Sequence, residues 1–243
     1  MNFLPTVDAE IWRRYPEYRA LSVVVLGFRG TDSAAPPVHP LQPPVWMMEH
    51  LEAWRGAFRA FGANPKKTPC SVEALWKRVE RNGSLPAIDP VVDLYNALSI
   101  RFGACFVGED LDRYAGSPRL VVARGDEPFD TVRDGAPVIE HPDSGEIVWR
   151  DDAGVTCRRW NWRQCKRTAL NPDSHNLWFI VDRLPPMPVV ELMRARRGTG
   201  FRTPADLPGH HPFDAPVRAL SVTLVTISRA AARTAHRMGN QSP

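Results

Sequence analysis

Leu21–Phe28 reads Leu-Ser-Val-Val-Val-Leu-Gly-Phe, an unbroken apolar and β-branched run of strand length. It predicts a buried strand. Leu177–Asp182, Leu-Trp-Phe-Ile-Val-Asp, predicts a second, stopped by the proline-rich residues 185–188. Shorter strands are expected at Leu120–Ala123, at Glu146–Arg150 and from Val155, with Asp151–Gly154 as a hairpin turn. Three helical patterns lie between the two long runs. Val45–Phe61 places Met48, Leu51, Trp54, Phe58 and Phe61 on one face. Ser71 is expected to cap a helix carrying Val72, Leu75, Trp76 and Val79, which Asn82-Gly83 closes. Asp89 as cap, Pro90 at the first helical position and Gly103 as stop bound the third. Gly30–Pro44, with five prolines, is a loop, and Gly108–Asp112 reads as an acidic turn with solvated carboxylates.

Charge divides the chain. The total is +4, but residues 192–243 hold eight arginines and two aspartates, leaving −2 on residues 1–191. The composition therefore suggests a folded unit over 1–191 and an Arg/Pro-rich extension over 192–243. A nucleic-acid role has to rest on local clusters rather than on overall basicity. No run approaches the ~18 apolar residues of a membrane span, and the start lacks a basic then apolar leader pattern. The four cysteines make no C-x-x-C pair and the histidines no H-E-x-x-H. Neither a metal site nor a cofactor is expected, and a reducing cytoplasm is.

The densest local cluster is Cys157–Thr168, Cys-Arg-Arg-Trp-Asn-Trp-Arg-Gln-Cys-Lys-Arg-Thr. Guanidinium groups bind phosphate bidentately and indoles stack on bases, so Arg158, Arg159, Trp160, Trp162 and Arg163 suit a single-stranded RNA end. The same residues also suit a solvated basic loop whose tryptophans cover a sheet. Lys66 and Lys67, just ahead of the second helix, read either as surface charge or as phosphate contacts. Asn96 reads as a ligand-facing amide or as a partner for neighbouring backbone.

Two blocks in order resemble the B3/B4 domain of the phenylalanyl-tRNA synthetase β subunit in a small stand-alone form. The first runs from Pro90-Val91-Val92-Asp93-Leu94-Tyr95-Asn96 to Gly108-Glu109-Asp110-Leu111-Asp112. The second runs from Gly145–Asp152 through Trp160-Asn161-Trp162-Arg163 to Asn176–Asp182 and resembles the C-terminal half of the stand-alone form, while Pro65-Lys66-Lys67 and Ser71–Leu75 resemble its first half. The resemblance implies an α+β domain, a central mixed β-sheet with flanking helices. It implies a pocket for the aminoacylated 3′ end of tRNA, with DNA and membrane not expected as partners. Asn96 falls on the family's pocket asparagine. The family's pocket histidine falls on Val107, and its glutamate falls near Ile180, two residues before Asp182. The activity implied is a trans-acting deacylase that hydrolyses mischarged aminoacyl-tRNA. Asn96 and Asn161 would position the water or ester, Asp182 would bind the α-amino group, and Lys66, Lys67, Arg158, Arg159, Trp160, Trp162 and Arg163 would serve the RNA. The alternative is a module that binds tRNA or a nucleotide-like ligand without catalysis.

Overall fold

A computed structural model describes residues 4–29, 43–198 and 221–227. Strand β1 (Thr6–Val7) and helix α1 (Ala9–Arg14) precede β2 (Arg19–Leu26). Three helices follow: α2 (Met47–Ala60), α3 (Ser71–Asn82) and α4 (Pro90–Phe102). Strand β3 (Cys105–Asp110) ends in a single 3₁₀ turn, Leu111–Arg113. Then come β4 (Arg119–Val122), β5 (Phe129–Arg133), β6 (Ala136–Glu140), β7 (Ile147–Arg150), β8 (Val155–Arg158) and β9 (Arg163–Gln164). The last elements are β10 (Leu177–Arg183), α5 (Val189–Gly198) and β11 (Ser221–Ile227).

The fold is α+β, with its strands in two main sheets and a hairpin. A mixed five-stranded sheet runs β1-β4-β7-β8-β9, with β1 parallel to β4 and the other pairs antiparallel. A four-stranded antiparallel sheet runs β11-β2-β10-β3, and β5 pairs with β6. The two apolar runs of the sequence, β2 and β10, are the central strands of the second sheet. Both faces of that sheet are covered, which is why those strands carry no polar alternation. Leu177, Phe179 and Val181 pack with Leu21, Val23 and Val25 in one core, which also takes Leu98 of α4 and Leu192 and Ala195 of α5. Trp178 and Ile180 point the other way, into a core shared with α2 and the five-stranded sheet. Asp182 continues that second set.

Local punctuation works as the residues dictate in α4. Asp89 accepts from Val91 and Val92 N–H, and Gly103 takes the left-handed conformation (φ 57°) that ends the helix. In α2, Met47 rather than Met48 is buried; Met48 is exposed, one position off the stripe. His50 ties α2 inward: its Nδ1 pairs with the Gly103 carbonyl at 2.9 Å, and Nε2 accepts from Trp54 and from the Leu184 amide. Burial holds this imidazole neutral, its pKa lowered to about 4.

Three expectations change. Gly108–Asp110 end a strand, and Glu109 is buried instead of solvated. The boundary expected after residue 191 falls inside α5, whose Leu192 and Ala195 are core residues. Within the supposed extension, β11 pairs with β2 along its whole length, so the segment adds an edge strand to the sheet.

Trp160 is fully buried and meets Tyr15, Tyr18 and Trp54 edge-on at centroid distances of 5.0, 5.0 and 5.2 Å. It is a keystone of the core, with no face left for an adenine. The W160A variant is expected to lose about 3–5 kcal/mol of stability, measured by denaturant unfolding; a loss under about 1 kcal/mol would contradict this packing.

Candidate functional site

The β8–β9 connection carries the basic stretch, and Glu146 organises it. Its carboxylate takes Arg158 Nε at 3.0 Å and Nη2 at 2.8 Å, and it accepts the Arg159 backbone N–H at 2.9 Å. Glu140 adds a contact to Arg158 Nη1 at 3.2 Å. Arg158 is only 6% exposed. Its phosphate role is corrected: two carboxylates already hold the guanidinium inside the protein. Arg159 lies near Glu146 and Asp143 at 3.6 and 3.7 Å, and its guanidinium stacks over Trp162 at 4.5 Å. Arg167 is bidentate to Asp151. The stretch is dense in cations, yet most of its charge is neutralised in place.

Arg159 and Trp160 adopt left-handed backbone conformations (φ 47° and 66°). The turn sends Trp160 into the core and turns Asn161, Trp162 and Arg163 toward a cleft of about 200 Å³. The cleft lies between the start of α3, Tyr95 and Asn96 of α4, Phe106 and Val107 of β3, and the residues after β8. Four expected site residues therefore meet in one place: Asn96, Asn161, Trp162 and Arg163. Lys66 and Lys67 are exposed on the turn leading into α3 and do not line the cleft. Arg78 of α3 does line it, and sequence reading missed it. Its spacing of seven from Ser71, two helical turns along the same face, was the available signal. Among the described residues, Arg78 and Arg163 have no carboxylate partner; Arg163 donates to the Val132 carbonyl at 3.0 Å.

Asp182 stands behind this wall. It is fully buried and does not line the cleft. Tyr18 donates to one carboxylate oxygen at 2.6 Å, and Asn161 Nδ2 approaches the other at 3.5 Å. The expected direct contact between Asp182 and an α-amino group does not fit this placement, because Asn161 stands between Asp182 and the cleft. Desolvation raises its pKa to about 7, against the lowering effect of those hydrogen bonds. Glu109 repeats the arrangement. Burial raises it to about 7, while Tyr114, Thr168 and Gln164 hydrogen bonds oppose the shift. Gln164 lines the cleft in front of it. Among the described lining residues there is no carboxylate and no histidine. Cys157 lines the cleft, but burial pushes its thiol up, which makes it a poor nucleophile.

Ser71 departs from its expected role. The cap position of α3 is Cys70, which makes no side-chain cap bond, and Ser71 is the first helical residue. Its hydroxyl is buried in the cleft wall with no hydrogen-bond partner, and so is Asn161 Oδ1.

A larger hollow of about 750 Å³ is lined by Phe28, Asp89, Asn171, Ser174 and His175 among others. Apart from the exposed Arg29, its polar groups are already committed. Asp89 caps α4, Ser174 donates to Asp110, and His175 pairs with the Phe28 carbonyl. Its lining includes Arg29, the last described residue before 30–42, which lie outside the described residues. The smaller cleft is the site with unsatisfied groups.

Because Asp182 keeps its proton longer in the folded chain than in the unfolded one, the folded state binds more protons between about pH 4 and pH 7. Its contribution to stability is therefore greatest below pH 4 and falls as pH rises to 7. The D182N variant, neutral throughout, should gain on the native chain across that window, by up to about 4 kcal/mol. Unfolding free energies of both proteins at pH 4, 5.5 and 7 check this; parallel profiles would refute it.

A family model described as the B3/4 domain matches residues 53–205. No curated protein matches the chain. Among solved structures, an N-terminal fragment of the phenylalanyl-tRNA synthetase β-subunit from Pyrococcus horikoshii is similar at 11% identity, with a TM-score of 0.44. The likeness covers 80% of this chain and 46% of that one, so the chain spans about half the fragment's length.

Proposed function

Because the chain belongs to the B3/4 domain family, we propose that its cleft binds the aminoacylated 3′ end of tRNA and hydrolyses the ester of mischarged species. One observation carries the reading: Asn96, Asn161, Trp162 and Arg163, distant in sequence, line a single cleft with the unpaired Arg78. A volume of about 200 Å³ equals roughly seven waters at ~30 Å³ each. That accommodates an aminoacyl group and leaves the nucleotides outside. Arg78 and Arg163 then meet phosphate, and Trp162 offers a stacking face at the rim. Lys66 and Lys67 extend the positive surface along the turn before α3.

Hydrolysis joins a water oxygen to the acyl carbon and breaks the bond to the ribose oxygen. The Asn96 and Asn161 amides orient the ester and water. With neither carboxylate nor imidazole among the described lining residues, the water's proton reaches the leaving ribose oxygen through the vicinal ribose hydroxyl. Positioning supplies the acceleration, since an aminoacyl ester is already activated. The same lack of an acid or base favours a second reading, a module that holds charged tRNA without cleaving it.

Two measurements test the reading. Two arginine–phosphate contacts predict a log–log salt slope for tRNA binding of about −1.4, with R78A and R163A each reducing it by about 0.7. Release of labelled amino acid from a panel of mischarged tRNAs should exceed the spontaneous rate at least about tenfold and fall toward it in N96A. Tight binding without release from any member would establish the second reading; salt-insensitive binding would remove the RNA.

A further inference from the structure

We propose that Ser71 and Asn161 form a two-pole subsite that reads an α-aminoacyl group with a free ammonium. Asn161 Oδ1 accepts from the ammonium, and Ser71 Oγ donates to the acyl carbonyl oxygen. This rests on the tRNA-end reading and specifies which part of the charged end the cleft recognises.

The two atoms are buried polar groups of the cleft wall without a partner. Leaving such groups unmade costs folding free energy that a bound ligand can recover. Their chemistry differs. Asn161 is 1% exposed, and its Nδ2 is turned toward Asp182, so the free atom is the acceptor. The turn is fixed from behind. Tyr18 occupies the other Asp182 oxygen, and β10 holds Asp182 opposite Cys105 of β3. An acceptor-only oxygen calls for a donor, and an ammonium is the strongest donor an aminoacyl group carries.

Ser71 sits at the opposite kind of pole. It opens a helix of twelve residues whose cap makes no side-chain bond, so the first turn presents N–H groups and a hydroxyl. That end favours an oxygen bearing negative charge, as a carbonyl does when water attacks. Donor-seeking Asn161 and acceptor-seeking Ser71 thus share one cleft of amino-acid size. An ammonium and a carbonyl separated by one carbon match that pair. An N-acylated aminoacyl group has lost the ammonium and carries added bulk, and it does not match. In this arrangement Asp182 is a positioning residue that acts through Asn161.

Bulk tRNA charged with a labelled amino-acid mixture is presented to the full chain, before and after N-acetylation, with uncharged tRNA as baseline. Retention is read instead of release, because acetylation itself changes the ester's lability. The acetylated form should bind about ten- to a hundredfold more weakly. S71A should weaken retention of the free-amino form about fivefold and leave the unfolding midpoint no lower than the native chain's, since the hydroxyl has no partner to lose and its burial carries a penalty. N161A should abolish the difference between the two forms. Equal retention of both forms by the native chain overturns the subsite and leaves the tRNA reading intact. Retention of neither form above uncharged tRNA overturns the tRNA-end reading itself. An S71A variant that binds like the native chain removes Ser71 from the subsite.

Discussion

The Glu146 carboxylate is the contact on which the rest of the site depends. It sits just before β7, is 1% exposed, and grips both the side chain of Arg158 and the backbone of Arg159. Arg159 and Trp160 pay a conformational cost: left-handed backbone in a residue other than glycine costs roughly 1–2 kcal/mol each. Three charge-assisted hydrogen bonds at about 1.5–3 kcal/mol offset that. The strained turn is stable only while the clamp holds. Its result is a division of labour within three consecutive residues. Trp160 fills the core, Asn161 enters the cleft wall, and Trp162 stays at the rim.

The clamp also explains why local charge misleads in this chain. A run with five cations among twelve residues reads as a phosphate surface when its partners are unknown. Glu146 lies twelve positions before Arg158, Glu140 eighteen and Asp151 sixteen before Arg167, so a sequence window around the run does not contain them. The hairpin β7–β8 brings them alongside. Among the described residues, the run keeps free charge at Lys166 and at Arg163, and of these Arg163 lines the cleft together with Arg78, which belongs to another element entirely.

Much of the fold was legible because it follows from short-range rules. The α4 boundaries come from Asp89, Pro90 and Gly103, and the two buried strands come from unbroken apolar runs. The expected helices over 45–61 and 71–82 differ from α2 and α3 by at most two residues. Misreadings arose where tertiary pairing decided. Glu109 reads as a solvated carboxylate until β3 is known to pair with β10, which buries it. Residues 221–227 read as part of the Arg/Pro-rich extension until their antiparallel register with β2 is seen. Within the site, Asn96 was legible as a polar residue on an apolar helix and Asn161 as an amide between two tryptophans in a basic run. Arg78 and Ser71 were not, because an exposed helical arginine and a serine at a helix start are ordinary on any surface.

The two buried carboxylates bear on what chemistry this cleft can support. Asp182 stands behind Asn161, and Glu109 behind Gln164, whose Nε2 donates to the neighbouring Gly108 carbonyl, so neither acid lines the cleft. On the proposed reading, a carboxylate placed in the cleft itself would repel the phosphate backbone assigned to Arg78 and Arg163. One layer back, it fixes an amide dipole and adds no charge at the surface. Burial brings both acids close to neutral pH, so their ionisation responds to small changes around them. A neutral Asp182 could donate as well as accept, and the turn of Asn161 that leaves Oδ1 free would lose its electrostatic reason. The polarity presented to a ligand by Asn161 is thus set by a proton on a residue the ligand never touches.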